Sequence, residues 1–164
     1  GVDCAVRGGD LPDSSLVCRK LCDLTFSLFA SPAYLTRHGI PKQPADLAHH
    51  QLIGYRSAAS REVRKIVLTC QDQRLELDAP QRLIVSDSVT LLQAGLAGLG
   101  IVHASSFTVA QHLRAGTLVR VLPDWKGRTL PLSLLSPSAR FRTTRVQVFM
   151  DWVHNLLQQS MPPD

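Results

Sequence analysis

The sequence lacks an uninterrupted apolar run long enough to cross a bilayer. The longest candidate, residues 91–104, is interrupted by Gln93, His103 and three glycines. A charged-then-apolar signal segment is also absent, as are low-complexity tracts and internal repeats. We therefore expect a soluble cytoplasmic protein with no membrane partner. The chain begins at Gly1 without a methionine, which indicates an interior position of a longer protein.

Cysteines are few, and their spacing does not complete a known site. Cys18 and Cys22 form a Cys-x-x-x-Cys pair, but no second pair accompanies them to complete a zinc site. Most of the cysteines lie in strand-like apolar patterns, where a thiol behaves as a small buried hydrophobe. We expect reduced thiols and no metal. The full set is Cys4, Cys18, Cys22 and Cys70.

Catalytic and cofactor motifs are missing. The sequence contains neither a Gly-x-Ser-x-Gly elbow nor a His-Glu-x-x-His helix. The neighbouring histidines His49 and His50 point in different directions on any helix. Gly95, Gly98 and Gly100 follow a predicted helix and precede a strand, which reverses the order of a dinucleotide-binding loop. The sequence predicts neither an enzyme nor a bound cofactor.

The net charge of +5 raises the question of a nucleic-acid partner. The basic residues are spread out, and their two densest groups are not interleaved with aromatic residues that could stack on bases. We interpret these groups as solvated surface, because charge clusters usually face water. They are Arg56, Arg61, Arg64 and Lys65, and then Arg140, Arg142 and Arg145.

Alternating strands and helices predict an α/β fold. Strands are expected at residues 2–7, 16–21, 24–30, 52–55, 65–69, 74–78, 82–85, 101–102, 118–122 and 130–135. Helices are expected at residues 33–38, 89–97 and 106–113, with a helical turn or two at 44–49. The last helix begins near Thr144, and its apolar positions are Val146, Phe149, Met150, Val153, Leu156 and Leu157.

A series of motifs resembles the effector domain of LysR-type bacterial transcriptional regulators. The order and spacing of these pieces, which span nearly all 164 residues, carry the resemblance. The first pieces are Gly1-Val2-Asp3-Cys4-Ala5-Val6-Arg7, Leu11-Pro12-Asp13-Ser14-Ser15-Leu16 and Ala30-Ser31-Pro32-Ala33-Tyr34-Leu35. Next come Gly39-Ile40-Pro41, Pro44-Ala45-Asp46-Leu47 with His50, and Ser86-Asp87-Ser88. The last are Ala94-Gly95-Leu96-Ala97-Gly98-Leu99-Gly100-Ile101 and Gly116-Thr117-Leu118-Val119-Arg120-Val121-Leu122.

The resemblance implies a type 2 periplasmic-binding-protein fold with two α/β lobes and a cleft. Residues 1–30 and 123–164 would form the first lobe, and residues 31–122 the second. It also implies an upstream winged helix-turn-helix and an opening first-lobe segment, both absent here, so we expect an incomplete first lobe with exposed apolar faces. The full-length protein would bind DNA through that missing head and form a homo-oligomer.

The helix at residues 89–97 would lie at the dimer face of the family. Its apolar stripe of Val89, Leu92 and Leu96 fits a core-facing helix equally well. The sequence leaves these two interpretations open.

The predicted function is therefore the sensing of a small anionic effector. Arg7 ends a strand and precedes flexible glycines, so its planar guanidinium group could bind a carboxylate through two hydrogen bonds. The alternative is that Arg7 forms an ion pair with Asp3 or Asp10 at the surface. The predicted effector-binding residues are Arg7, Gly8, Tyr55, Ser86, Ser88, Gly100, Ile101 and Val102. A solute-binding protein of a transporter has the same fold and is the alternative function.

Overall fold

A computed structural model of the chain describes residues 3–9, 16–57, 61–77, 81–136 and 143–160. The chain divides into two compact units. Unit 1 contains Gly1–Leu24 and Thr129–Asp164, and unit 2 contains Thr25–Arg128. Strand β2 (Val17–Ala30) contributes to both units. The lobe boundaries inferred from the resemblance stay a prediction.

Unit 1 is a small sheet with one long helix. Strand β1 (Ala5–Gly8) pairs antiparallel with β9 (Thr129–Ser136), and β9 also pairs with β2. Helix α4 (Thr144–Ser160) follows β9 in the chain. The strand predicted at residues 2–7 is observed at Ala5–Gly8, so it ends one residue later than predicted. Residue 2 lies outside the described residues.

The predicted break between two strands at Cys22-Asp23 is wrong, because β2 continues through it. The Asp23 carboxylate accepts a hydrogen bond from Lys20 Nζ at 2.7 Å, and both side chains are about half exposed. A polar residue on the solvent face therefore does not interrupt the strand.

Unit 2 contains a sheet of five strands. Their order is β8 (Val119–Val121), β2, β7 (Ile101–Ser105), β3 (Leu52–Tyr55) and β6 (Leu83–Val85). Strands β3 and β6 run parallel, and β7 runs parallel to β3 on its other side. Strand β8 and the end of β2 pair antiparallel, as β2 does with β7. A separate hairpin joins β4 (Val67–Cys70) to β5 (Gln73–Glu76).

Serine and aspartate caps begin the helices of unit 2. Helix α1 (Pro32–His38) and helix α2 (Ser88–Leu96) are capped by the side chains of Ser31 and Asp87. Helix α3 (Ser106–Arg114) is capped by the side chain of Ser105, the residue before it. Ser106 Oγ donates to the Thr25 carbonyl at 3.2 Å. A short 3₁₀ helix lies at Pro44–His49, as predicted.

The sheet of unit 2 separates two hydrophobic clusters, because neighbouring residues of a strand face opposite sides. Leu52 and Ile101 belong to the first cluster, whose other members include Leu28, Leu47, Leu68 and Val121. Ile53 and Val102 belong to the second cluster, whose other members include Phe29, Val85, Leu91, Ala94 and Val109. This alternation fixes the register of the strands.

Helices α2 and α4 bury only part of their apolar surfaces. In α2, Leu91 and Ala94 are buried; of the predicted stripe, Leu92 and Leu96 pack against the second cluster, whereas Val89 is 67% exposed. In α4, Met150 and Val153 are buried, but Phe149 is 45% exposed. Among the described residues, no helix is long and apolar enough to span a membrane.

Candidate functional site

The carboxyl ends of the parallel strands of unit 2 meet at one edge of its sheet. Strands β3, β6 and β7 end at Tyr55, Val85 and Ser105, and Tyr55 lies opposite Val85 in the register. Helices α2 and α3 begin at this same edge. Open α/β sheets bind ligands at the carboxyl ends of their strands, so this edge is the candidate site.

A recess of about 290 Å³ opens at the carboxyl end of β6. Asp87 Oδ1 accepts a hydrogen bond from the Thr90 amide at 2.8 Å, and this hydrogen bond lowers the pKa of Asp87. The carboxylate is therefore committed to capping α2. Arg56 follows β3, is exposed and forms no ion pair with any described residue. The lining residues are Arg56, Ile84, Val85, Ser86, Asp87 and Thr90.

Tyr55 lies half-buried beside this recess. Its carbonyl accepts a hydrogen bond from the Arg64 amide at 2.8 Å, and the Arg64 guanidinium carbon lies 4.7 Å from the centre of its ring. Cation–π contacts of this kind hold an arginine in place without neutralising its charge. Tyr55 therefore positions a cation at the carboxyl edge.

A second aromatic contact holds another arginine on unit 2. The Arg128 guanidinium carbon lies 5.2 Å from the centre of the Phe26 ring, and that ring lies 5.4 Å from the His103 ring. Burial lowers the pKa of His103 to about 4, and the charges of Arg128 and Arg64 act in the same direction. His103 is therefore neutral at pH 7.

Gly100, Ile101 and Val102 are not brought together with Ser86. They lie at the amino end of β7, whereas Ser86 follows the carboxyl end of the parallel strand β6. A side chain at Gly100 would clash with the Gln51 carbonyl, and the side chains of Ile101 and Val102 are fully buried in the two hydrophobic clusters. Their interior positions leave no side-chain surface for an effector.

The remaining predicted residues lie at two places. Ser88 is the exposed first residue of α2, adjacent to the recess, but it does not line it. Arg7 and Gly8 are exposed on β1 in unit 1, opposite Ser133 and Leu132. Their contribution to effector binding stays a prediction. Asp10 lies outside the described residues, so the alternative pairing of Arg7 with it is untested.

Sequence reasoning missed Arg56, Thr90, His103 and Arg128. Arg56 directly follows the strand that ends at Tyr55, so its position after a strand was an available signal. His103 and Arg128 come together because β2 pairs with β7, and no local pattern reports that pairing. Among the described residues, no three histidine, cysteine or acidic side chains are grouped to hold a metal.

Comparison with known proteins identifies the family. A family model for the LysR substrate binding domain matches residues 1–158. An HTH-type transcriptional repressor of Pseudomonas aeruginosa is 34% identical over 160 residues, covering 98% of this chain and 50% of that protein. The regulator YhjC of Escherichia coli is 36% identical over 159 residues, covering 97% of this chain and 53% of that protein.

A solved structure agrees with these matches. The regulatory domain of CrgA, a LysR-type regulator from Neisseria meningitidis, is 31% identical with a TM-score of 0.81, and the match covers 95% of this chain and 76% of that chain. The predicted type 2 periplasmic-binding-protein-like fold is confirmed, whereas the transporter alternative gains no support from relatives that are transcriptional regulators. The chain spans about half the length of the curated relatives. It belongs to the LysR substrate-binding domain family, the ligand-sensing regulatory domains of LysR-type transcriptional regulators.

Proposed function

We propose that unit 2 binds a small anionic effector at the carboxyl edge of its sheet and that the whole protein uses this binding to control a DNA-binding head. The whole protein would act in the cytoplasm as a homo-oligomer, without catalysing a reaction. It would contact DNA through a helix-turn-helix, the element for which its HTH-type relatives are named. Family membership supports the regulatory role, since the relatives are HTH-type transcriptional regulators.

The recess beside Ser86 is the observation that supports an anionic ligand. Its carboxylate, Asp87, is already engaged by the Thr90 amide, whereas Arg56 has no ion-pair partner among the described residues. The Ser86 hydroxyl is exposed at the same recess and adds a donor. A carboxylate on the effector would give the Arg56 guanidinium a two-point partner.

Arg7, Gly8 and Ser88 remain proposed effector-binding residues. Arg7 and Gly8 are exposed at the end of β1, and Ser88 is exposed at the start of α2. We do not extend the proposal to Gly100, Ile101 and Val102, because their packing at the amino edge leaves no free side-chain surface.

A screen of small carboxylates against the whole protein tests this function. An effector should raise the melting temperature of the protein, because it binds the folded state alone. The effector should also change the affinity for operator DNA, and DNA should change the affinity for the effector by the same factor. Arg56→Gln should weaken effector binding about 10-fold or more, since it removes a charge-assisted contact.

The matched control is Arg82→Gln, which removes an exposed arginine that does not line the recess. It should leave effector affinity within about twofold of wild type. Equal loss in both variants would indicate a general effect of charge and would contradict a site at the recess. A protein whose melting temperature and operator affinity respond to no carboxylate would refute the proposed function itself.

A further inference from the structure

Two glycines leave room for polar side chains on one face of the unit 2 sheet. Gly54 follows Leu52 by two residues and His103 follows Ile101 by two, so both lie on the face that carries the first hydrophobic cluster. A Cβ at Gly54 would clash with Gln81 Oε1, which therefore lies on that face too.

The second of these glycines accommodates the His103 ring. A Cβ at Gly127 would clash with His103 Nε2. Only a residue without a side chain allows the ring to pack at that depth.

Two polar atoms on this face are buried without a hydrogen-bond partner among the described residues. They are His103 Nε2 and Gln81 Oε1. A buried polar atom left without a partner costs about 1–3 kcal/mol, so native proteins seldom retain one without a use. The pair offers a donor and an acceptor, or two donors if the Gln81 amide is turned.

Two arginines complete an arginine–histidine cluster, which we define as Phe26, Tyr55, Arg64, His103 and Arg128. Arg64 lies over Tyr55 and Arg128 lies over Phe26, so each guanidinium rests on a different ring. In the part of the chain that the structure describes, no carboxylate forms an ion pair with either one.

The arginines are close enough to affect the ionisation of their neighbours. The pKa of Arg128 is lowered by burial and then by the charge of Arg64, and both charges lower the pKa of His103. The cluster therefore holds two like charges on the exposed residues Arg64 and Arg128, with a neutral imidazole beside them. An added dianion would relieve this repulsion, whereas an added cation would increase it.

We propose that the arginine–histidine cluster binds a small dicarboxylate, with one carboxylate on Arg64 and the other on Arg128. His103 Nε2 and the Gln81 amide would then supply neutral hydrogen bonds to the same molecule. The proposal rests on the proposed function for the presence of a ligand at this edge. It goes beyond that function by assigning the charge of the ligand and four residues outside the Ser86 recess.

Calorimetry on this 164-residue chain tests the proposal. The probes are linear dicarboxylates from malonate to adipate, with butyrate as the monocarboxylate and inorganic phosphate as the other anion. At least one dicarboxylate should bind about 10-fold or more tightly than butyrate and phosphate. Arg64→Gln and Arg128→Gln should each reduce that affinity by about 10- to 100-fold, to the level of butyrate.

Arg114→Gln is the matched control, because Arg114 is exposed at the end of α3 and forms no ion pair with any described residue. Circular dichroism on every variant establishes that it is folded. The inference is overturned if butyrate or phosphate binds as tightly as every dicarboxylate, if Arg64→Gln and Arg128→Gln bind like Arg114→Gln, or if no dicarboxylate binds at all. A carboxylate that responds to Arg56→Gln but to neither cluster variant would overturn this inference while supporting the proposed function.

Discussion

His103 should make the stability of unit 2 depend on pH. The folded-state pKa of about 4 lies below the ordinary value of 6.5 for histidine, because burial disfavours the imidazolium. The unfolded chain therefore takes up a proton more readily as the pH falls. The contribution of neutral His103 is complete above pH 6.5 and is lost progressively between pH 6.5 and pH 4. The difference in pKa corresponds to about 3 kcal/mol.

Urea unfolding of the chain at several values between pH 7.5 and pH 4.5 measures this loss. The chain has two tryptophans, and the exposed Trp152 of unit 1 can be replaced by Phe so that Trp125 reports unit 2 alone. In that background the His103→Gln variant removes the titrating group and keeps a neutral polar side chain. The free energy of unfolding should fall more steeply with acid when His103 is present, by about 2–3 kcal/mol at pH 4.5.

His49→Gln is the matched control, since His49 is exposed at the end of the 3₁₀ helix. This variant should retain most of the pH dependence of the parent. Other groups titrate in the same window, including His50, whose pKa is lowered mainly by burial, so the comparison between variants isolates His103. If the parent and His103→Gln lose the same free energy between pH 7.5 and pH 4.5, the assignment of a neutral buried His103 is refuted.

Variants at two further positions test the structure around the site by urea unfolding. Gly100→Ala should lower the free energy of unfolding by about 1–3 kcal/mol, because its Cβ would clash with the Gln51 carbonyl in the backbone of the neighbouring chain segment; an unchanged free energy would contradict the close packing at the amino edge. Asp87→Ala should cost about 1 kcal/mol through loss of the hydrogen bond from the Thr90 amide, whereas Asp87→Asn should restore most of it. Equal losses in the two Asp87 variants would assign the effect to charge instead of capping.

Much of the fold could be predicted because local signals bounded the elements. The strand at Leu52–Tyr55 and the 3₁₀ helix at Pro44–His49 have the predicted bounds, since polar residues flank the strand and Pro44 begins the helix. The continuous strand β2 was missed, because Asp23 looks the same in sequence whether it interrupts a strand or lies on its solvent face. Local polarity does not distinguish these two situations.

The candidate site was less predictable, because it depends on strand direction and on partners distant in sequence. Ser86 and Tyr55 were predicted to bind the effector, and both lie at the carboxyl edge. Gly100 was grouped with them from its position in a turn, without the parallel pairing that places it at the opposite edge. The approach of Arg128 to Phe26 depends on backbone hydrogen bonds that join Gly127 and Arg128 to Phe26 of β2. No sequence motif indicates this pairing.

The two edges of the unit 2 sheet differ in how completely their polar groups are satisfied. At the amino edge, the Gly98 carbonyl accepts a hydrogen bond from Arg37 at 2.8 Å, and Gly100 packs closely on Gln51. Its groups are used and its space is filled, so a ligand there would have to break existing contacts. At the carboxyl edge, Arg64 keeps an unpaired charge and His103 Nε2 lacks a hydrogen-bond partner among the described residues. Natural proteins retain such violations mainly at functional sites. A ligand that neutralises Arg64 and gives His103 Nε2 a hydrogen-bond partner would gain binding free energy at the carboxyl edge. At the amino edge the polar groups already interact with one another, so a ligand would not gain this free energy there.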